Sequence, residues 1–250
     1  MIASLPMYDW PETRCINDTL WQLLYNNLQA RGVDAPQHLS RSNNEESHWL
    51  SPDLLLSQTC GYPLSTLLRE KVQYLTTPVY DVAGCEGGYY SSVLVARKGA
   101  DIEAHDMTRS HFAYNSKFSW SGYRCIIREF GALENVFSTL VESGGHRNSA
   151  RWVAAGKADI AALDAVCWHM LQHHEPKTTN KLKAVYWTKK HPSLPFITAL
   201  DRSVPVAQNL VAAMKEVIAS AEFAEIRELL PIVECVEIDV EIYMALGREA

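Results

Sequence analysis

No apolar run in this 250-residue sequence approaches the roughly 18 residues that a membrane-spanning helix needs, so insertion into a bilayer is not expected. The start, "MIASLPMYDWPE", has neither a basic leader nor a long apolar region, and "IASLPMY" reads as a first strand. A basic stripe is also missing. The formal net charge of -6 argues against a broad nucleic-acid or acidic-membrane surface, so any anion must be recognised locally. The cysteines Cys15, Cys60, Cys85, Cys125, Cys167 and Cys235 are scattered, with no C-x-x-C pair. They read as mostly buried thiols of a reducing compartment. Repeats and low-complexity segments are absent, and 47% hydrophobic with 21% charged residues describes an ordered globular protein.

What is present is a rhythm of strands and helices. "INDTLWQLLYNNLQARG" has apolar residues at helical spacing, with Asn17 or Asp18 as cap and Gly32 as stop. "DLLLSQ" reads as a buried strand and "YPLSTLLREK" as a short helix. "VQYLTTPVY" and "YYSSVLVARK" read as strands around Gly84, Gly87 and Gly88. A second series follows: "HFAYN" as strand, "SGYRCIIREFGALE" as helix, "VFSTLVESG" running into a strand, "HRNSARWVAAG" as helix, "ADIAALD" as strand and "AVCWHMLQHH" as helix. "KAVYWT" returns as a strand, and Val204 to Ser220 and Ala221 to Leu230 are helix-like. The pattern fits two α/β lobes, the second inserted into the first, with crossings near "YYSSV" and "VYWT". One doubly wound domain is the alternative.

In open α/β sheets, ligands bind beyond the carboxyl ends of strands, where helix starts present N–H groups. Three such junctions stand out. At Ser119, Trp120, Ser121 and Gly122, two hydroxyls and successive amides could seat several oxygens of a tetrahedral anion, or one serine could simply cap the helix. At Gly144, Gly145 and His146, a tight turn brings a histidine to a helix start, where it could donate one N–H to the same ligand. Asp164, at the end of "ADIAALD", could accept from a protonated oxygen or an ammonium group, or cap the next helix.

Taken in order, "FAYNSKFSWSGY" and "ESGGHRNSARWVAAGKADIAALDAVCW" resemble the phosphate, phosphite and phosphonate-binding proteins of ABC transporters, a branch of the type 2 periplasmic-binding-protein fold. The resemblance rests on the serine-x-serine-glycine helix start, the glycine-histidine turn and the G-x-A-D-x-A-A-x-D block. It extends to "GGYYSSVLVARK" and "LPFITA". It implies two lobes, 1–92 with 188–250 and an inserted 93–187, each a mixed or mostly parallel sheet flanked by helices, with a ligand cleft between them. The implied function is capture of a small oxyanion for a transporter permease, without catalysis, cofactor or metal. Ser119, Ser121, the Gly122 backbone and His146 would hold the oxyanion, Tyr90 or its neighbour Tyr89 would close from the first lobe, Asp164 would face the ligand's substituent or the hinge, and Tyr8 would form the first-lobe wall. Trp120 stands where many relatives carry a small hydroxyl residue, which removes a possible donor and narrows the pocket. The family implies a periplasmic location; the lack of an export signal implies a cytoplasmic one if Met1 is the native start.

Other readings use the same letters. Ser121, His146 and Asp164 are the parts of an acyl-transfer triad, although no G-x-S-x-G elbow surrounds the serine, and Cys125, the other candidate nucleophile, reads as lying on a buried face. A cytoplasmic biosynthetic enzyme or sensor of the same fold is the broader alternative, favoured if Trp10, Trp49, Trp120 or Trp168 stack on a planar ligand. His169, His173 and His174 in "HMLQHH" lack a carboxylate or cysteine at zinc-like spacing.

Overall fold

The buried stripe Ile16, Leu20, Trp21, Leu24 and Leu28 is what makes Arg14–Ala30 a helix that must pack on something. In the computed structural model, which describes residues 1–42, 44–102, 107–228 and 230–248, that helix packs on Val204–Ala219. Its start is Thr13, not Asn17 or Asp18. The Thr13 hydroxyl is drawn back to the Tyr8 carbonyl at 2.6 Å, while Asn17 lies inside the helix and donates to Asp9 at 2.9 Å. Gly32, with φ of 72°, ends the segment as expected.

These helices belong to a first compact unit formed by Met1–Asp81, Glu86–Gly88 and Pro192–Gly247. Its sheet has the order Ile2–Ala3, Leu54–Gln58, Phe196–Ala199, Val72–Tyr80, Ile232–Val236. The first pair is parallel and the other three are antiparallel. The first strand is shorter than "IASLPMY" suggests, because Pro6 has no N–H for a ladder and Tyr8 turns the chain with φ of 65°. Helix Gly61–Ser65 is likewise shorter than its run. Of the run Ala221 to Leu230, only Ala221–Ala224 is helical, and Leu229 lies outside the described residues. Ile232–Val236 and the helices Glu45–Trp49 and Val240–Arg248 add elements that the pattern did not announce. A polar pocket of about 200 Å³ in this unit is lined by Ser4, Asp9, Arg14, Arg41, Glu45 and His48 among others.

A second unit comprises Val82–Cys85, Tyr89–His191 and Arg248. Tyr89 to Ser92, read from the sequence as the end of the first lobe, thus lie here. Its sheet runs Leu182–Trp187, Ser92–Arg97, Ile160–Asp164, His111–Tyr114, Thr139–Glu142. The last three strands are mutually parallel, and the first two pairings are antiparallel. Both units are therefore mixed α/β. Because three neighbouring strands point the same way, their carboxyl ends, at Tyr114, Glu142 and Asp164, share one edge of the sheet. The segments that follow each strand start there.

The helix expected over "SGYRCIIREFGALE" is divided. A single π-helical turn, Trp120–Arg124, leads into the α-helix Cys125–Phe130. Gly131, with φ of 88°, breaks the run before the short helix Leu133–Val136. None of the six cysteines, all among the described residues, is in a disulfide; Cys125, Cys167 and Cys235 are buried, Cys60 and Cys85 half-buried, and Cys15 exposed.

Candidate functional site

The strand His111–Tyr114 delivers Asn115 to the carboxyl edge, and four residues later the Ser119 hydroxyl caps the π-helical turn by accepting from the Gly122 N–H at 3.1 Å. A π-helical turn holds one residue more than an α-helical one and is a frequent companion of binding sites. Its closing bond runs from the Arg124 N–H to the Ser119 carbonyl at 3.1 Å. Behind the turn, the Cys125 thiol donates toward the Ser121 carbonyl at 3.1 Å and the Ser92 hydroxyl at 3.3 Å, which ties the turn to the sheet.

The second arm is built by small residues. Gly144 takes φ of 81°, while Gly145 is extended at 179° and caps helix His146–Ala154. Ser143 supports this corner: its hydroxyl donates to the Tyr114 carbonyl at 3.0 Å and shares a hydrogen with Ser149 at 2.6 Å. His146 therefore enters at a fixed position. Its Nδ1 faces the Ala162 carbonyl at 3.2 Å, and its Nε2 faces the Ser121 hydroxyl at 2.9 Å. Ser119 and Ser121 hydroxyls are 3.4 Å apart. The fold thus brings Ser119, Ser121, Gly122 and His146 into one group.

A carbonyl oxygen only accepts, so Nδ1 carries the hydrogen and the neutral ring offers a lone pair at Nε2. Burial pushes the imidazole down to about 4, with the Ala162 bond opposing that fall. The expectation that His146 donates toward a ligand is corrected accordingly: the N–H is spent on the strand Ile160–Asp164, and the other nitrogen accepts. The imidazole nitrogen that a catalytic triad would turn to Asp164 faces Ala162 instead. Asp164 Oδ1 accepts from the Val166 and Cys167 amides at 2.7 and 3.1 Å, which makes it the cap of helix Ala165–His174.

Asn115 was not anticipated. Its Nδ2 lies 3.3 Å from His146 Nε2, and its Oδ1, buried and without a hydrogen-bond partner among the described residues, occupies the space beside the Gly122 Cα. A Cβ at Gly122 would lie 1.8 Å from that oxygen and 3.1 Å from His146 Cε1. The only sequence signal for Asn115 is its place immediately after a strand, which a reading by motif passes over. Trp120 is 1% exposed, its indole packs edge-on to the His191 ring at 4.8 Å, and its Nε1 has no acceptor among the described residues. Tyr90 is buried and Tyr89 half-buried, on the two-residue strand before Ser92–Arg97 in the same unit. Tyr8 belongs to the first unit, where its ring meets Tyr80 edge-on at 5.6 Å. The His169 and His173 rings lie 4.4 Å apart. Among the described residues, no group of three or more His, Cys, Asp or Glu side chains is placed to hold a metal ion.

With this arrangement in view, comparison with known proteins is decisive at the level of family. Residues 53–243 match the family described as ABC transporter, phosphonate, periplasmic substrate-binding protein. The chain belongs to that family. None of the curated proteins matches it by sequence. Among solved structures it is similar to a binding-protein component of an ABC phosphonate transporter from Pseudomonas aeruginosa, at 16% identity and a TM-score of 0.76 over 98% of this chain and 83% of that one. It is similar also to PhnD1 from Prochlorococcus marinus in complex with methylphosphonate, at 15% identity and a TM-score of 0.71 over 94% and 92% of the two chains. A chloride-bound protein from Xanthomonas citri aligns at 13% identity and a TM-score of 0.75 over 100% and 98%. These likenesses identify the fold as that of the two-lobed periplasmic binding proteins. Among the described residues, no helix of this family member is long and apolar enough to cross a membrane.

Proposed function

We propose that this chain is a capture protein for a small phosphorus oxyanion of the phosphonate, phosphite or phosphate class, working with a transporter permease in the periplasm, where its family is placed. The observation that carries the reading is the convergence of Ser119, Ser121 and His146, within 3.4 Å of one another in sequence of contact, at two helix starts on one sheet edge. A helix start leaves N–H groups without intrahelical acceptors, so the turn at Ser119 and the helix at His146 supply neutral donors and the positive ends of two dipoles. Neutral donors suffice for an anion, since each charge-assisted hydrogen bond contributes about 1.5–3 kcal/mol. Tyr89 and Tyr90 are proposed as the aromatic wall in the same unit, and Trp120 as a filler that limits the ligand's size.

A thermal-shift panel of phosphate, phosphite, methylphosphonate and 2-aminoethylphosphonate tests the reading. At a hundred times its dissociation constant, a true ligand adds about 2.7 kcal/mol to stability. At least one member is expected to stabilise the protein without being consumed, and Ser121→Ala is expected to abolish most of that gain while leaving the ligand-free melting temperature nearly unchanged. Stabilisation by none of the four, or an equal gain in the variant, overturns it.

A further inference from the structure

The direction of the hydrogen bonds at Ser121 says more about the ligand than the presence of the serine does. We propose, on the reading of this group as an oxyanion site, that the Ser121–His146 pair accepts a hydrogen from the ligand and so selects a phosphorus oxyacid that retains one P–OH, as a monoanion, over the dianion or a sulfonate.

Ala162 O can only accept, so His146 Nδ1 donates to it. Nε2 is then a lone pair, and the group 2.9 Å from it, the Ser121 hydroxyl, must be the donor. The Asn115 amide adds a second donor to the same nitrogen at 3.3 Å. With its hydrogen committed, Ser121 Oγ presents lone pairs alone. A fully ionised phosphonate, or a sulfonate, has only acceptors to offer it, whereas a P–OH donates. Ser119 accepts from Gly122, and its own hydrogen, which in the absence of a ligand can only point to the Ser121 oxygen 3.4 Å away, can turn to a bare ligand oxygen. The site therefore has one accepting and one donating hydroxyl.

Among the described residues of the elements packed against its helix, no charged side chain is seen to bond the imidazole. Of the elements packed against its helix, Ile160–Asp164 brings Asp164, whose Oδ1 caps another helix, and Ser92–Arg97 brings Arg97, which lies against Gly156 at the opposite end. Tyr114 on His111–Tyr114 donates to Glu142, and His111 is exposed, as is Lys177 on Pro176–Thr179. On Ala165–His174 the His169 and His173 rings face each other, with His174 in the same last turn, and Cys167 is buried. Arg147 and Arg151 of the helix itself both engage Glu175.

Titration calorimetry of the full chain at constant ionic strength, from pH 5.5 to 9, separates the possibilities. Methylphosphonate and phosphite lose their last proton near neutral pH, so their affinity is expected to be level below that point and to fall about tenfold per pH unit above it. Methanesulfonate, an anion of similar shape without a hydroxyl, is expected to bind at least tenfold more weakly than methylphosphonate at pH 6. In His146→Gln, whose amide can donate to Ser121 and release its hydrogen, the difference between the two acids is expected to collapse. Affinity that stays level or rises with pH, or methanesulfonate binding as well as methylphosphonate, overturns the proton selection while leaving the oxyanion site standing. If none of these three acids binds at any pH, and phosphate and 2-aminoethylphosphonate do not bind either, both readings are removed. The wild-type comparisons decide the matter even if the variant does not fold.

Discussion

Gly122 is the residue on which the group closes, because its missing side chain is the space that Asn115 and His146 share. Gly122→Ala is expected to push the Asn115 amide off His146, with a loss of about 1–3 kcal/mol of stability and at least tenfold in methylphosphonate affinity. Denaturant unfolding and calorimetry on one preparation check both, and an unchanged affinity would show that the Asn115–His146 contact does not shape the site. Ser119, Ser121 and His146 were legible because helix-start serines and a glycine-histidine turn are written in contiguous letters. The polarity of their bonds was not. Whether His146 donates or accepts is fixed by Ala162, a residue with no chemistry of its own whose carbonyl is contributed by the strand.

At the scale of elements, strands with continuous apolar runs were easy to read, since Leu54–Gln58 and Ile160–Asp164 are buried at every position. Boundaries set by tertiary bonds were not, as the Thr13 start of the first long helix illustrates. Neither was the π-helical turn, whose extra residue leaves the periodicity of so short a segment unreadable. Helix His146–Ala154 is anchored at its outer face by Arg147 and Arg151, which grip Glu175 at the end of Ala165–His174. Burial alone would raise the Glu175 carboxyl, but bonds from Arg151, Arg147 and Thr178 outweigh it and hold it below the usual glutamate range. A depressed acid contributes stability that is present above its unfolded pKa and fades as pH falls through the folded one. Glu175→Gln is accordingly expected to cost about 1–3 kcal/mol at pH 7 and much less at acid pH. A loss that does not shrink on acidification would assign the effect to packing instead.

The molecule as a whole carries two histidines, His146 and His191, that its second unit keeps uncharged, both lowered to about 4 with burial as the first cause. Because the folded values lie below the unfolded one, the contribution of these two groups to stability is expected to be level above about pH 6.5 and to decline between there and about pH 4, by up to about 1.4 kcal/mol per pH unit for each group. Urea midpoints at pH 7 and pH 5 should differ in that direction, and His146→Gln with His191→Gln should flatten the difference; a slope unaltered in the double variant would place the acid sensitivity elsewhere. The two-unit plan was legible because strand and helix patterns restart after "YYSSVLVARK", yet the strand order could not be read, since nothing in "FITA" says that it will sit in the middle of a sheet. That position bears on the order in which an emerging chain can complete its two sheets. Phe196–Ala199 lies between Leu54–Gln58 and Val72–Tyr80, so the N-terminal body lacks its central strand until the whole stretch up to His191 has been synthesised. A chain emerging from its N-terminus therefore offers all five strands of the interior sheet while the earlier sheet still lacks its middle one, against the usual order in which the N-terminal domain is complete first.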